Sequence, residues 1–305
     1  MTEQTSAVRL QTAPHPRAVL ELLKPVTWFA AMWAFMCGVV STGIPLLDRW
    51  PQLILGMILA GPMVCASSQA VNDWFDRHVD AINQPDRPIP SGRIAGRWGL
   101  WIAMIWSGLS LLLGAMLGIW ALGATMIGVG LAWAYSAPPF RLKLNGWWGN
   151  AAVGFSYEGI AWFTGAAVIL GDLPGPGIIF LAVAYSIGAH GIMTLNDFKA
   201  LEGDRTMGVR SLPIQMGPDR AARFACFVMA MAQIAVIGFL LSLSRPMFAA
   251  LIAGLLLAQL FLMRILLRDP RGKAPWYNAT GTTLYVFGML AAALAIAPLS
   301  GGLNG

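Results

Sequence analysis

Residues 51–71, PQLILGMILAGPMVCASSQAV, run without a charge into residues 72–80, NDWFDRHVD. The first segment is long enough to cross a bilayer, for which a helix needs about 20 residues. In the second, Asp73, Asp76 and Asp80 recur at i, i+3 and i+7, which is one face of a helix. Three carboxylates on one face at a span end repel one another unless positive charge stands between them. Mg²⁺ meets that need, because it takes a few carboxylates and completes its shell with water and phosphate oxygens. Asn72 either orients a carboxylate or ligates through its amide oxygen. The juxtaposition points to an all-α membrane protein with a metal-dependent phosphate site at one membrane face.

Composition agrees. The 305 residues are 57% hydrophobic and 11% charged, against about 25% charged in a soluble domain. Cys37, Cys65 and Cys226 lie in apolar runs and form neither a metal spacing nor a disulfide framework. Residues 1–24 are polar, show no cleavable leader and are expected to form a cytoplasmic segment ahead of one transmembrane domain over 25–305.

Nine apolar runs are long enough to span: 28–47, 51–71, 98–117, 119–136, 149–170, 177–195, 221–243, 247–267 and 277–299. Gly114 and Gly118 mark the weak break between the third and fourth. With nine spans and a cytoplasmic N-terminus, 18 of the 20 Lys and Arg face the cytoplasm, leaving only Arg49 and Arg245 outside. That is the positive-inside pattern, and merging the third and fourth runs would spoil it. The net charge of +6 therefore reflects topology, and no nucleic-acid partner is expected.

A second acidic cluster, Asn196–Asp204, follows the sixth run. Asp197 and Asp204 are seven residues apart and are expected on one helical face, with Glu202 off it. Each cluster follows the second run of a four-run block, so the bundle is expected to comprise two four-helix pseudo-repeats with a site between them.

A diphosphate needs fixed cations. Arg77, Lys143, Lys199 and Arg205 lie in or beside the clusters; Arg suits bidentate phosphate contacts and Lys offers a point charge. Asn72 and Asn196 head the two motifs and are candidates beside them. Tyr135 ends the fourth run, before Pro138 and Pro139 stop the helix, and brings a hydroxyl to the rim with Arg141 and Lys143. Glu158 is an acid inside an apolar run, a costly placement that marks function. It either hydrogen-bonds an acceptor or pairs a buried Arg. His190 is similarly placed in the sixth run, either as a satisfied core histidine or as a contact for a metallated macrocycle.

The chain resembles the UbiA-type intramembrane prenyltransferases. Asn72-Asp73-x-x-Asp76-x-x-x-Asp80 is similar to that family's first aspartate motif. Asn83-Gln84-Pro85-Asp86-Arg87-Pro88-Ile89-Pro90-Ser91-Gly92-Arg93, Tyr135-Ser136-Ala137-Pro138-Pro139 with Lys143-Leu144-Asn145-Gly146-Trp147, and Asp197-Phe198-Lys199-Ala200-Leu201-Glu202-Gly203-Asp204-Arg205 resemble its chlorophyll and bacteriochlorophyll synthase branch. Tyr157-Glu158-Gly159 with Trp162-Phe163-Thr164-Gly165 resembles the bacteriochlorophyll side of that branch. One departure stands out. The family's second motif is Asp-x-x-x-Asp, and Ala200 occupies its first position here, with Asp197 one turn earlier as the substitute ligand.

The resemblance implies an all-helical nine-span bundle with a central cavity open to the cytoplasm and the lipid, and Mg²⁺ held by Asp73, Asp76, Asp80, Asp197 and Asp204. It implies a diphosphate bound by Arg77, Lys143, Lys199, Arg205, Asn72 and Asn196, with Arg77, Lys143, Lys199 and Tyr135 in catalysis. Glu158, His190 and Trp162 are the expected acceptor contacts. The implied reaction joins the propionate of bacteriochlorophyllide a to geranylgeranyl or phytyl diphosphate. The implied setting is a bacterial inner or intracytoplasmic photosynthetic membrane, with the site facing the cytoplasm. Chlorophyllide or a quinone precursor as acceptor, or a cation-coupled transporter, are the rival readings.

Overall fold

The computed structural model describes residues 13–301; Arg9, counted above among the cytoplasmic basic residues, lies outside the described residues. Among the described residues nine helices are long and apolar enough to cross a membrane. They are α1 (Pro16–Ser41), α2 (Leu46–Asn83), α3 (Trp98–Met116), α4 (Ile119–Ser136), α5 (Gly146–Leu170), α6 (Pro176–Met207), α7 (Pro218–Ser242), α8 (Pro246–Leu266) and α9 (Pro270–Leu299). α3 and α4 are separate helices, divided at Gly118, whose φ of 116° favours glycine.

Three boundaries differ from the sequence reading, each for a local reason. Residues 13–24 are not simply polar coil: Pro16–Leu22 is helical and buries Ala18 and Leu22, with Leu23, against Ala66, Ala70, Ile94 and Ile102. Pro25 then breaks α1, with Lys24 in the left-handed region at φ 47°. α2 runs on through the first acidic motif to Asn83, because neither Pro nor Gly interrupts 66–83 and Pro85 comes just after. The second acidic motif is the converse case. α6 gives way to a 3₁₀ turn over Asp197–Ala200 before helix resumes at Leu201, so Asp197 and Asp204 do not share one continuous α-helical face as their spacing predicts.

Two helices widen into π turns, at Leu59–Cys65 in α2 and at Phe155–Ile160 in α5. In α2 the cause is Pro62, which lacks an N–H; its carbonyl instead receives the Trp106 indole N–H at 3.0 Å. Such turns rotate the side chains that follow them and are frequent at functional sites.

The helices pack through small residues, as expected where lipid supplies no hydrophobic drive between helices. At Gly38 and Gly165, α1 and α5 approach so closely that a Cβ would collide with the carbonyls of Trp162 and Phe35. Gln233 and Gln259, both fully buried, exchange side-chain amide hydrogen bonds at 2.8 and 3.2 Å between α7 and α8. Inside the bundle, α1, α2, α4, α5, α6 and α9 surround a cavity of about 490 Å³.

Candidate active site

The long α2 carries Asp73, Asp76 and Asp80 as the helical period requires, and each meets a cation from a different segment. Lys24, aimed by its left-handed backbone, donates to Asp73 Oδ1 at 2.6 Å. Arg87, from the loop after α2, donates to Asp80 Oδ2 at 2.6 Å and reaches Asp73 Oδ1 at 3.4 Å. Lys143, from the loop after α4, donates to Asp76 Oδ1 at 2.5 Å, with Arg141 at 4.0 Å from the same oxygen. Burial lowers the Lys143 ammonium below the ordinary lysine value, and the Asp76 carboxylate opposes that shift. Asp73 is 2% exposed and its Oδ2 has no hydrogen-bond partner.

The second cluster is built from α5, α6 and α9. Asn150 donates to Asp197 Oδ2 at 3.0 Å and approaches Thr194 Oγ1 at 3.4 Å. Asn196 Oδ1 accepts from Asn278 Nδ2 at 2.8 Å and from Lys199 Nζ at 3.4 Å. Asp204 is buried, and its carbonyl accepts from Val209 N–H at 2.9 Å. The loops following α4 and α6 are tied by two backbone bonds, Gly146 N–H to the Arg210 carbonyl (2.8 Å) and Arg210 N–H to the Leu144 carbonyl (2.9 Å).

Asn72, Tyr135 and Asn196 line the same end of the cavity, with Ser68 and Gln69 beside them. Asn72 Nδ2 lies 3.4 Å from Ser136 Oγ. Beyond this polar rim the wall is largely apolar, lined by residues such as Leu59, Ala60, Val64, Ala124, Gly128 and Ile160. Glu158 also lines it, 8% exposed, and none of the Lys or Arg among the described residues pairs with it. The buried-Arg option for Glu158 is therefore closed.

Other sequence candidates stand elsewhere. Arg77 folds back over the Trp74 ring, 4.1 Å from its centroid, and donates to the Trp74 carbonyl at 2.7 Å, so it meets none of the five aspartates. Lys199 and Arg205 are exposed. Trp162 is 0% exposed, stacked on Tyr185 with its indole N–H donating to Ser41 Oγ at 3.1 Å; it is core and offers no face to an acceptor. His190 is half-buried rather than buried, its Nε2 3.2 Å from the Trp147 carbonyl and its ring against Trp147 and Phe224, outside the cavity lining. Lys24, Arg87, Asn150 and Asn278 escaped the sequence reading as site residues. For Arg87 a signal existed, since it stands in the quoted 83–93 stretch. Lys24, Asn150 and Asn278 have none, because each acts across more than forty residues of chain.

Residues 25–290 match the UbiA prenyltransferase family. The bacteriochlorophyll synthase 33 kDa chain of Cereibacter sphaeroides is 61% identical over 94% of this chain and 95% of its own. The corresponding chain of Rhodobacter capsulatus is 54% identical over 97% and 98%. Chloroplastic chlorophyll synthase of Avena sativa is 39% identical over 90% of this chain and 75% of its own. Among solved structures, a UbiA homolog from Archaeoglobus fulgidus bound to GPP and Mg2+ superposes with a TM-score of 0.71 over 92% of this chain and 99% of that one, at 20% identity.

Proposed function

The chain belongs to the UbiA prenyltransferase family, and from that premise we propose that it esterifies the propionate of bacteriochlorophyllide a with geranylgeranyl or phytyl diphosphate. It is an integral membrane enzyme, with nine apolar membrane-length helices among the described residues. The observation that carries the reading is that Asn72 and Asn196, each next in the chain to an aspartate of one cluster, line a single largely apolar cavity together with Tyr135. Such a cavity takes an isoprenoid chain along its wall and leaves the diphosphate among the charges. Identity of 61% and 54% to the two bacterial relatives over nearly their full length, against 39% to the plant enzyme, supports the bacteriochlorophyllide acceptor over the plant one.

The residues fit a hard dication. Among the described residues no three carboxylates converge as a preformed cage, and Asp73, Asp80 and Asp76 are paired with Lys24, Arg87 and Lys143; the fit lies in the donor chemistry, carboxylate oxygens of the two clusters and amide oxygens of Asn72 and Asn196, with Asp73 Oδ2 buried and unpartnered. Mg²⁺ held by these residues would supply positive charge to stabilise the diphosphate leaving group. Lys24, Arg87, Lys143 and Arg141 already surround the first cluster and provide fixed cations for the same anion. The apolar wall excludes water, which protects the allylic cation formed as the C–O bond breaks. The propionate then attacks that cation. Its carboxyl resembles a Glu side chain, with a pKa of about 4.3, so it is ionised at neutral pH and needs no base.

We read the aspartate end as cytoplasmic, from the distribution of Lys and Arg, within a bacterial inner or intracytoplasmic photosynthetic membrane. The two pseudo-repeats and the single domain over 25–305 belong to the same reading. The test is purified protein in detergent with Mg²⁺, bacteriochlorophyllide a and each prenyl diphosphate, with esterified pigment followed by chromatography. Ester that disappears with chelator is the expected result. Ester only from chlorophyllide or a quinone precursor would move the acceptor, and no product from any acceptor would reopen transport.

A further inference from the structure

Among the residues lining the cavity Glu158 alone is acidic, and no Lys, Arg or His lines it. The Glu158 residue is 8% exposed, and its Oε2 meets no hydrogen-bond partner. Its neighbour Tyr157 is engaged otherwise, with its hydroxyl 3.3 Å from Cys65 Sγ and 3.2 Å from Gln69 Nε2. Glu158 also stands within the π turn Phe155–Ile160, a widening for which the chain supplies no proline. A buried polar atom left unsatisfied on the wall of a cavity is a group awaiting a ligand.

The chemistry of that ligand follows from the surroundings. An unpaired carboxylate is not sustained in an apolar wall without a cation, so the side chain is held as the neutral acid. A neutral carboxylic acid carries an O–H donor. Its natural partner is a carbonyl oxygen, which a prenyl chain lacks; the bacteriochlorin carries two that are conjugated to the macrocycle, an acetyl group and a ring ketone, besides its ester and propionate. We propose that Glu158 is a specificity residue that donates a hydrogen bond from its carboxylic acid to a conjugated carbonyl on the rim of the acceptor macrocycle. The proposal rests on the reaction assigned above. A site built around such a bond discriminates against an acceptor lacking the carbonyl, because the buried donor is then left unpaired.

The test compares unaltered protein with Glu158→Leu and Glu158→Gln. Leu removes the donor, and Gln keeps one without a proton to lose. Glu158→Leu is expected to raise KM for bacteriochlorophyllide about 10- to 100-fold with KM for the prenyl diphosphate unchanged. Glu158→Gln is expected to retain most of the affinity. Equal damage by Gln and Leu would overturn the neutral-donor assignment, as would an unaltered acceptor KM in Leu or a rise in the donor KM. Resonance Raman of bacteriochlorophyllide bound to the unaltered protein needs no variant. One carbonyl stretch is expected below its free value, and which band moves tells acetyl from ring ketone; neither moving overturns the proposal. Absence of ester from every pigment with the unaltered chain would bring down the functional reading and this inference with it. Ester formation with an indifferent Glu158→Leu would bring down the inference alone.

Discussion

Lys24 Nζ sits 2.6 Å from Asp73 Oδ1, joining the break in α1 to the first carboxylate of α2 across 49 residues of chain. The lysine is still 22% exposed at its side chain while the aspartate is 2% exposed. The pair therefore places a nearly dry carboxylate against a cation that solvent, or an incoming phosphate, can reach.

Removing that cation leaves Asp73 with only the 3.4 Å contact from Arg87. Lys24→Met is expected to cost about 1–3 kcal/mol, since truncating one partner strands a buried charge. Thermal unfolding of the purified protein in detergent reads the loss. Adding Asp73→Asn should recover most of it; a double variant less stable than Lys24→Met alone would refute the coupling.

Arg87 and Arg77 separate two roles that composition does not distinguish. Arg87 bridges Asp73 and Asp80, whereas Arg77 lies on Trp74. Arg87→Gln is expected to raise KM for prenyl diphosphate at least ~10-fold, by loss of a charge-assisted contact. Arg77→Gln is expected to change it less than ~3-fold. Reversal of that order in steady-state kinetics would contradict the assignment.

Asp76 pairs with Lys143 at 2.5 Å and heads the proposed metal set. Asp76→Ala is expected to reduce turnover by about 10²-fold or more while the protein inserts and purifies normally. Chelator should have the same effect on the unaltered enzyme. Full activity in either case would remove the metal from the mechanism.

Asn150 holds Asp197 from the neighbouring helix at 3.0 Å. Asn150→Ala removes that donor, which orients the carboxylate, without adding charge, and is expected to weaken the second cluster about tenfold in apparent Mg²⁺ affinity. Activity should then need more Mg²⁺ and recover as it is added. An unchanged Mg²⁺ titration would place Asp197 outside the metal site.

Gly38 and Gly165 test the packing beneath the site. Either Gly→Ala change drives a methyl group into a backbone carbonyl of the facing helix, where no side chain can give way. The expected loss is about 1–3 kcal/mol for each, seen as a lower unfolding temperature in detergent. Gly123→Ala, where a Cβ meets nothing within 4 Å, is the control and should leave stability within about 0.5 kcal/mol.

What the sequence by itself determined is what local physics controls. Hydropathy over a bilayer's length marks the nine long helices of the described residues, including the division at Gly118. The 3.6-residue period puts Asp73, Asp76 and Asp80 on one face, and an unbroken helix keeps them there. The same period misled at Asp197 and Asp204, because an Asp197–Ala200 3₁₀ turn changes the angle per residue. Only the tertiary structure decided which side chains meet. It brought Lys24, Arg87, Asn150 and Asn278 to the clusters, laid Arg77 on Trp74 and left Glu158 unpaired on the cavity wall. Trp162 went to the core and His190 to a helix junction, although both are aromatic residues in apolar runs like many others. The reason is physical: one strand of helix fixes which residues share its face, but the partner of that face is set by how small residues such as Gly38 and Gly165 let distant helices close together.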